Sequence, residues 1–143
     1  MRPLPVEPAF HRRLAFPARS APDVSAGIDF TRGTLRAWHP GADPAAIADI
    51  VLVAAELLAN AAEHAGGPLA LELCRTPVNR IRIEVTDATP ARPRVQSLSP
   101  DTPHGHGLRI IDRLAHAWGC HPGDGGKTVW AECDLPPPAT HAP

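Results

Sequence analysis

The chain has 143 residues, enough for one domain with a real core and too few for two. Its 14 basic and 15 acidic residues leave a formal net charge of -1, so no long-range field draws it to nucleic acid or to an anionic membrane. Lys127 is the only lysine, a bias that GC-rich coding explains without chemistry. Cys74, Cys120 and Cys133 form no C-x-x-C pair and are odd in number, which argues for small buried thiols in a reducing compartment. The N-terminus has no apolar stretch of signal-peptide length, and the strongest apolar run, residues 50–55, stops at Glu56. A soluble, cytoplasmic protein is expected.

Residues 1–9 carry three prolines and read as a flexible tail. Residues 11–18 suit a first strand, with Leu14 and Phe16 pointing inward. Pro22 and Asp23 then open a helix whose stripe is Val24, Ile28, Thr31, Leu35 and Trp38, weakened by Gly27 and Gly33. His39-Pro40-Gly41 breaks it, and Asp43 with Pro44 caps a second helix over residues 44–64. Ile47, Ile50, Val51, Ala54, Leu57, Leu58 and Ala61 form its core stripe, and Gly66-Gly67-Pro68 ends it.

Two strands follow, 69–75 and 80–86, joined by a turn at Pro77-Val78-Asn79 and alternating through Leu69, Leu71, Leu73 and Ile81, Ile83, Val85. Residues 88–106 are proline-rich and aperiodic, a length that marks a functional or disordered loop. Gly107 opens a short helix with Leu108, Ile111, Leu114, Ala115 and Trp118 on its apolar side. Strands near 118–121 and over 127–135 complete the domain at 10–135, and the proline-rich residues 136–143 form a second tail. Strands in runs predict an α+β two-layer sandwich, with helices on one face of a mixed, mostly antiparallel sheet.

The candidate chemistry lies at three places. Glu56, Asn60 and Glu63 fall opposite the core stripe of the second helix, a side shared with Leu52 and Val53. Glu56 and Asn60, four apart, project together: a carboxylate that can act as a base beside an uncharged oxygen donor for a hard cation. Gly105 and Gly107 let the backbone approach an anionic ligand where the long loop enters a helix. Asp87 closes a half-buried strand, where it can accept from an exocyclic amine or cap the turn that follows. His104, His106, His116, Cys120 and His121 invite a metal reading but do not reproduce a familiar ligand spacing.

Taken together, these segments resemble the GHKL (histidine-kinase-like) ATPase superfamily over residues 10–135. Residues 56–65, Glu-Leu-Leu-Ala-Asn-Ala-Ala-Glu-His-Ala, resemble its N box, Asp87 stands where the first glycine box begins, and Gly105-His106-Gly107-Leu108 resembles the second. Gly125-Gly126-Lys127-Thr128-Val129-Trp130 resembles the Gly-Thr start of the late strand. The stretch from Gly107 to Leu135 looks like short actinobacterial relatives of anti-sigma-factor serine kinases. The resemblance implies a Bergerat-type fold that binds ATP and Mg²⁺ between helices and sheet. It implies Glu56 as general base, Asn60 as Mg²⁺ ligand, Asp87 as the adenine-reading carboxylate and Thr128 as a hydroxyl near adenine. Gly105, Gly107 and Leu108 would face the phosphates, and His64 follows the N box as in many relatives.

One departure from the family pattern is plain. The first glycine box usually reads D-x-G-x-G, whereas Asp87 precedes Ala88-Thr89-Pro90-Ala91. The backbone there approaches a base less freely, and Pro90 lacks a donor. Two functions are therefore weighed: a serine kinase acting on a STAS-type anti-sigma antagonist, often dimeric and able to bind a sigma factor, or a partner-switching module that uses nucleotide only as support.

Overall fold

In the computed structural model the described residues are 10–17, 24–89, 106–123 and 125–135. The elements run β1 (His11–Ala15), α1 (Val24–Trp38), α2 (Pro44–His64), β2 (Pro68–Arg75), β3 (Arg80–Asp87), α3 (His106–Leu114), β4 (Ala117–Gly123) and β5 (Gly126–Asp134). The strands form one sheet in the order β1-β2-β3-β5-β4, antiparallel at every pairing. The α+β architecture is the expected one. The proline-rich stretch 90–105 and both tails lie outside the described residues.

The local signals explain most of the boundaries. The Asp43 carboxylate accepts from the Ala45 N–H at 3.1 Å and Pro44 starts α2, satisfying an end that has no intrahelical partner. At the other end the Ala65 and Gly67 N–H groups both close on the Ala61 carbonyl, at 3.0 and 2.9 Å. Gly66 then turns the chain at φ 71°, a conformation open to glycine. The β2–β3 hairpin turns through Asn79 at φ 60°, whose side-chain amide also donates to the Leu135 carbonyl at 3.2 Å.

α2 packs on the sheet and against α1 and α3. Leu35, Ile50, Val53, Leu57, Leu58, Leu71, Leu73, Ile81, Ile83, Val85 and Ile111 are almost wholly buried in the core. Each such side chain stabilises the fold by roughly 1.5–3 kcal/mol. Val53 differs from the sequence reading: it joins Leu108 and Ile111 in the core, whereas its neighbour Leu52 stays 40% exposed. Packing of α3 against α2 extends the core past the predicted stripe. Gly27, read as a weakness of α1, is a contact point; a β-carbon there would stand 2.5 Å from Leu58 Cδ1.

Residues 44–63 of α2 are long and apolar enough to cross a membrane, with a mean hydropathy of 1.8 over an 18-residue window. The sequence reading had ended the apolar run at Glu56. The helix is apolar because it is the central core element, pressed between two helices and a sheet. All three cysteines are thiols. Burial pushes Cys74 up to about 11 and Cys133 to about 12, so both stay protonated at neutral pH.

Candidate functional site

Strand alternation divides the sheet into two chemically different faces. Towards the helices β3 presents Ile81, Ile83, Val85 and Asp87, while β5 presents Lys127, Val129, Ala131 and Cys133, all buried. The other face is polar. There Arg82 bonds Glu84 and Glu132, each at 2.7 Å, and lies 4.3 Å over the Trp130 ring.

Glu56 and Asn60 are half-buried on α2, and neither side chain makes a hydrogen bond or ion pair with another described residue. Burial raises the Glu56 proton affinity above the usual carboxylate value of 4.5, and the nearby negative charge of Glu63 raises it further. A carboxylate disposed in this way is a better base than a solvated one. Asn60 adds a neutral oxygen one turn further along.

Asp87 is joined to this helix at its far end. The Thr89 hydroxyl donates to the Ala65 carbonyl at 3.3 Å, and the Thr89 N–H donates to Asp87 Oδ1 at 2.8 Å. The nine-residue step from Glu56 to Ala65 corresponds to a rise of about 14 Å along the helix axis. Glu56, Asn60 and, through Thr89, the Asp87 turn thus follow one another in that order along α2.

Two predicted residues are not brought to this line as expected. Thr128 lies on the polar face, its hydroxyl 3.0 Å from that of its cross-strand partner Thr86, and so points away from Asp87. Leu108 is 3% exposed and packs in the core, which leaves only its backbone to meet a ligand. Gly107 lies in the first turn of α3 as expected, while Gly105 and His104 lie outside the described residues. Among the described residues no three histidine, cysteine, aspartate or glutamate side chains converge on a metal position. A groove of about 780 Å³ between α1 and α2, lined by Ile28, Arg32, Arg36, Val51 and Leu52 among others, does not include Glu56 or Asn60.

Lys127 was missed. It is 4% exposed, and its ammonium lies 3.1 and 3.0 Å from the two oxygens of Asp87, itself 2% exposed. The third contact is the Thr89 carbonyl at 2.9 Å. Gly126 makes this approach possible, because a β-carbon there would run into the Asp87 carbonyl oxygen. Backbone cannot yield as a side-chain tip does, so Gly126→Ala is expected to destabilise the fold by about 1–3 kcal/mol. Gly123→Ala, with open space around it, is expected to stay within about 0.5 kcal/mol. Urea denaturation of the two variants checks this, and equal midpoints would refute the close approach.

A profile of the histidine kinase-like ATPase domain matches residues 16–133, which takes in both long helices and every described candidate residue. The chain belongs to the histidine kinase-like ATPase family. Among solved structures this ATPase domain is similar to that of the RsbU and RsbW domains of Rv1364c from Mycobacterium tuberculosis. The TM-score is 0.58 at 23% identity, covering 90% of this chain and 33% of that one. The domain thus spans about a third of that protein's length. It is also similar to the SiaB-SiaC complex structure from Pseudomonas aeruginosa, with a TM-score of 0.51 at 14% identity, covering 85% of this chain and 88% of that one. No curated protein matches the chain in sequence. At these identities the neighbours establish the fold, and the family establishes an ATPase domain.

Proposed function

We propose that this domain binds ATP with Mg²⁺ in the cytoplasm and transfers the γ-phosphoryl group to a serine or threonine of a STAS-type anti-sigma antagonist, thereby regulating a sigma factor. The observation that carries the proposal is the pair Glu56 and Asn60. They sit one turn apart on the α2 helix, half-buried, without protein partners among the described residues, and with the carboxylate's proton affinity raised. Glu56 would accept the proton of the attacking hydroxyl. Asn60 is the residue that would hold Mg²⁺, whose contribution when bound is to neutralise phosphate charge. Its neutral amide oxygen fits that task, because a third carboxylate beside Glu56 and Glu63 would add to the repulsion already raising Glu56. The backbone around Gly107, at the first turn of α3, would meet the phosphates, and Asp87 stands at the base end.

A binding module without transfer is the second reading. Thr89 and Ala91 stand where the family has glycines, and Asp87 is already engaged by Lys127. The neighbours give this reading some support too: one was solved as a complex with SiaC, and another carries RsbU and RsbW domains in one chain. A sigma factor and a second copy of the chain are the other partners proposed. Calorimetric titration with ATP, with Mg²⁺ and with EDTA, decides between the readings, followed by transfer of labelled γ-phosphate to a candidate antagonist. Saturable Mg²⁺-dependent binding with transfer is expected, whereas no binding at millimolar ATP would leave only the module.

A further inference from the structure

The single lysine of the chain lies at the one buried ion pair among the described residues, and at the base end of the proposed site. We infer that Lys127 is a built-in counter-cation occupying the base-reading position of Asp87, so that the site holds its nucleotide by the phosphates and discriminates little between 6-amino and 6-oxo purines. The inference rests on the nucleotide reading above and deepens it by naming the ligand group that is not read.

Of its three protons the Lys127 ammonium donates to Asp87 Oδ1 and to the Thr89 carbonyl, and it lies 3.0 Å from Asp87 Oδ2 as the counter-charge of the carboxylate. Oδ1 accepts a second bond from the Thr89 N–H. The carboxylate is therefore neutralised and oriented by the protein before any ligand arrives. A purine amine is a neutral donor, and hydrogen bonds from charged donors are roughly twice as strong as neutral ones. Displacing Lys127 would exchange the stronger contact for the weaker one and would strand a buried ammonium away from water. The exchange runs against binding. The pair is not loosely placed either: Gly126 lets β5 lie flush on the backbone at Asp87, and the Thr89 hydroxyl ties the same turn to the end of α2. Thr128, the residue a hydroxyl-based reader would need there, faces the other side of the sheet.

A site that hydrogen-bonds a ligand group rejects the analogue lacking it by large factors, because its own buried group is left unpaired. Where the protein supplies the partner, that penalty disappears. The test measures Mg²⁺-ATP and Mg²⁺-inosine triphosphate binding to the wild type, to Lys127→Thr and to the double variant Asp87→Asn/Lys127→Met. The wild type and the double variant are expected to bind both nucleotides within about threefold of each other, while Lys127→Thr, with its carboxylate released, prefers ATP by about tenfold or more. Circular dichroism checks folding, and if Lys127→Thr does not fold, the double variant decides. There, a ratio as even as in the wild type supports the inference. A wild-type preference for ATP of tenfold that the double variant loses would overturn it while leaving an ATP site intact, and so would an unchanged ratio in folded Lys127→Thr. If none of the three proteins binds either nucleotide, the nucleotide reading itself fails and this inference falls with it.

Discussion

Glu56→Gln is expected to slow phosphoryl transfer by about 10²–10⁴-fold, the usual worth of a positioned general base, while ATP affinity changes little. Glutamine keeps the size and the hydrogen-bonding reach of the side chain and removes only its capacity to take a proton. Binding does not depend on that capacity, so the loss falls on turnover and not on the dissociation constant. The same carboxylate sets a pH dependence. Its proton affinity is raised by burial first and by the charge of Glu63 second, and the base must be ionised to work. Activity should therefore fall on acidification at a pH above the ordinary 4.5 of a glutamate, since the group takes up its proton early. Glu63→Gln removes the second cause and should move that acidic limb to lower pH without abolishing turnover. A Glu56→Gln protein that phosphorylates its partner at the wild-type rate would remove Glu56 from the chemistry.

The elements that could be read from the sequence are those whose signals are local and repeated. The α2 limits follow from an Asp-Pro start, a long apolar stripe and a Gly-Gly-Pro stop, and the β2 and β3 limits agree to within a residue because alternation and turn residues coincide. The start of β5 was harder. Gly126-Lys127-Thr128 fits a motif, but a shift of one residue in a strand turns every side chain to the opposite face. Thr128 was assigned to the ligand side and Lys127 was given no role. Yet Val129, Ala131 and Cys133 already form the buried row, and counting back by two reaches Lys127, not Thr128. The signal was present in the alternation. The assignment of Thr128 rested on the motif resemblance instead, and a lysine in a core row runs against the usual preference of that residue for water. What no periodicity could reveal was its partner: Asp87 and Lys127 are 40 residues apart, and only the antiparallel register of β3 on β5 sets them opposite each other.

That register leads to the largest expected effect on stability. Lys127→Met alone should destabilise the domain by about 3–5 kcal/mol, because it leaves the Asp87 carboxylate buried and without its counter-charge. For a domain of this size such a loss lowers the melting temperature by on the order of 10–20 °C, a large share of the 5–15 kcal/mol that holds a typical domain together. The loss does not measure the attraction of the pair, since desolvating both charges already opposes it. The double variant Asp87→Asn/Lys127→Met removes both charges, and the asparagine oxygen can still accept from the Thr89 N–H that now binds Oδ1. Most of the stability should return. The coupling between the two positions, read from the four proteins of the cycle in thermal or urea unfolding, is then expected at several times the roughly 0.3–0.5 kcal/mol by which distant sites depart from additivity. If Lys127→Met unfolds at the wild-type midpoint, or if the two losses simply add, the ammonium is not what holds Asp87 at the end of β3.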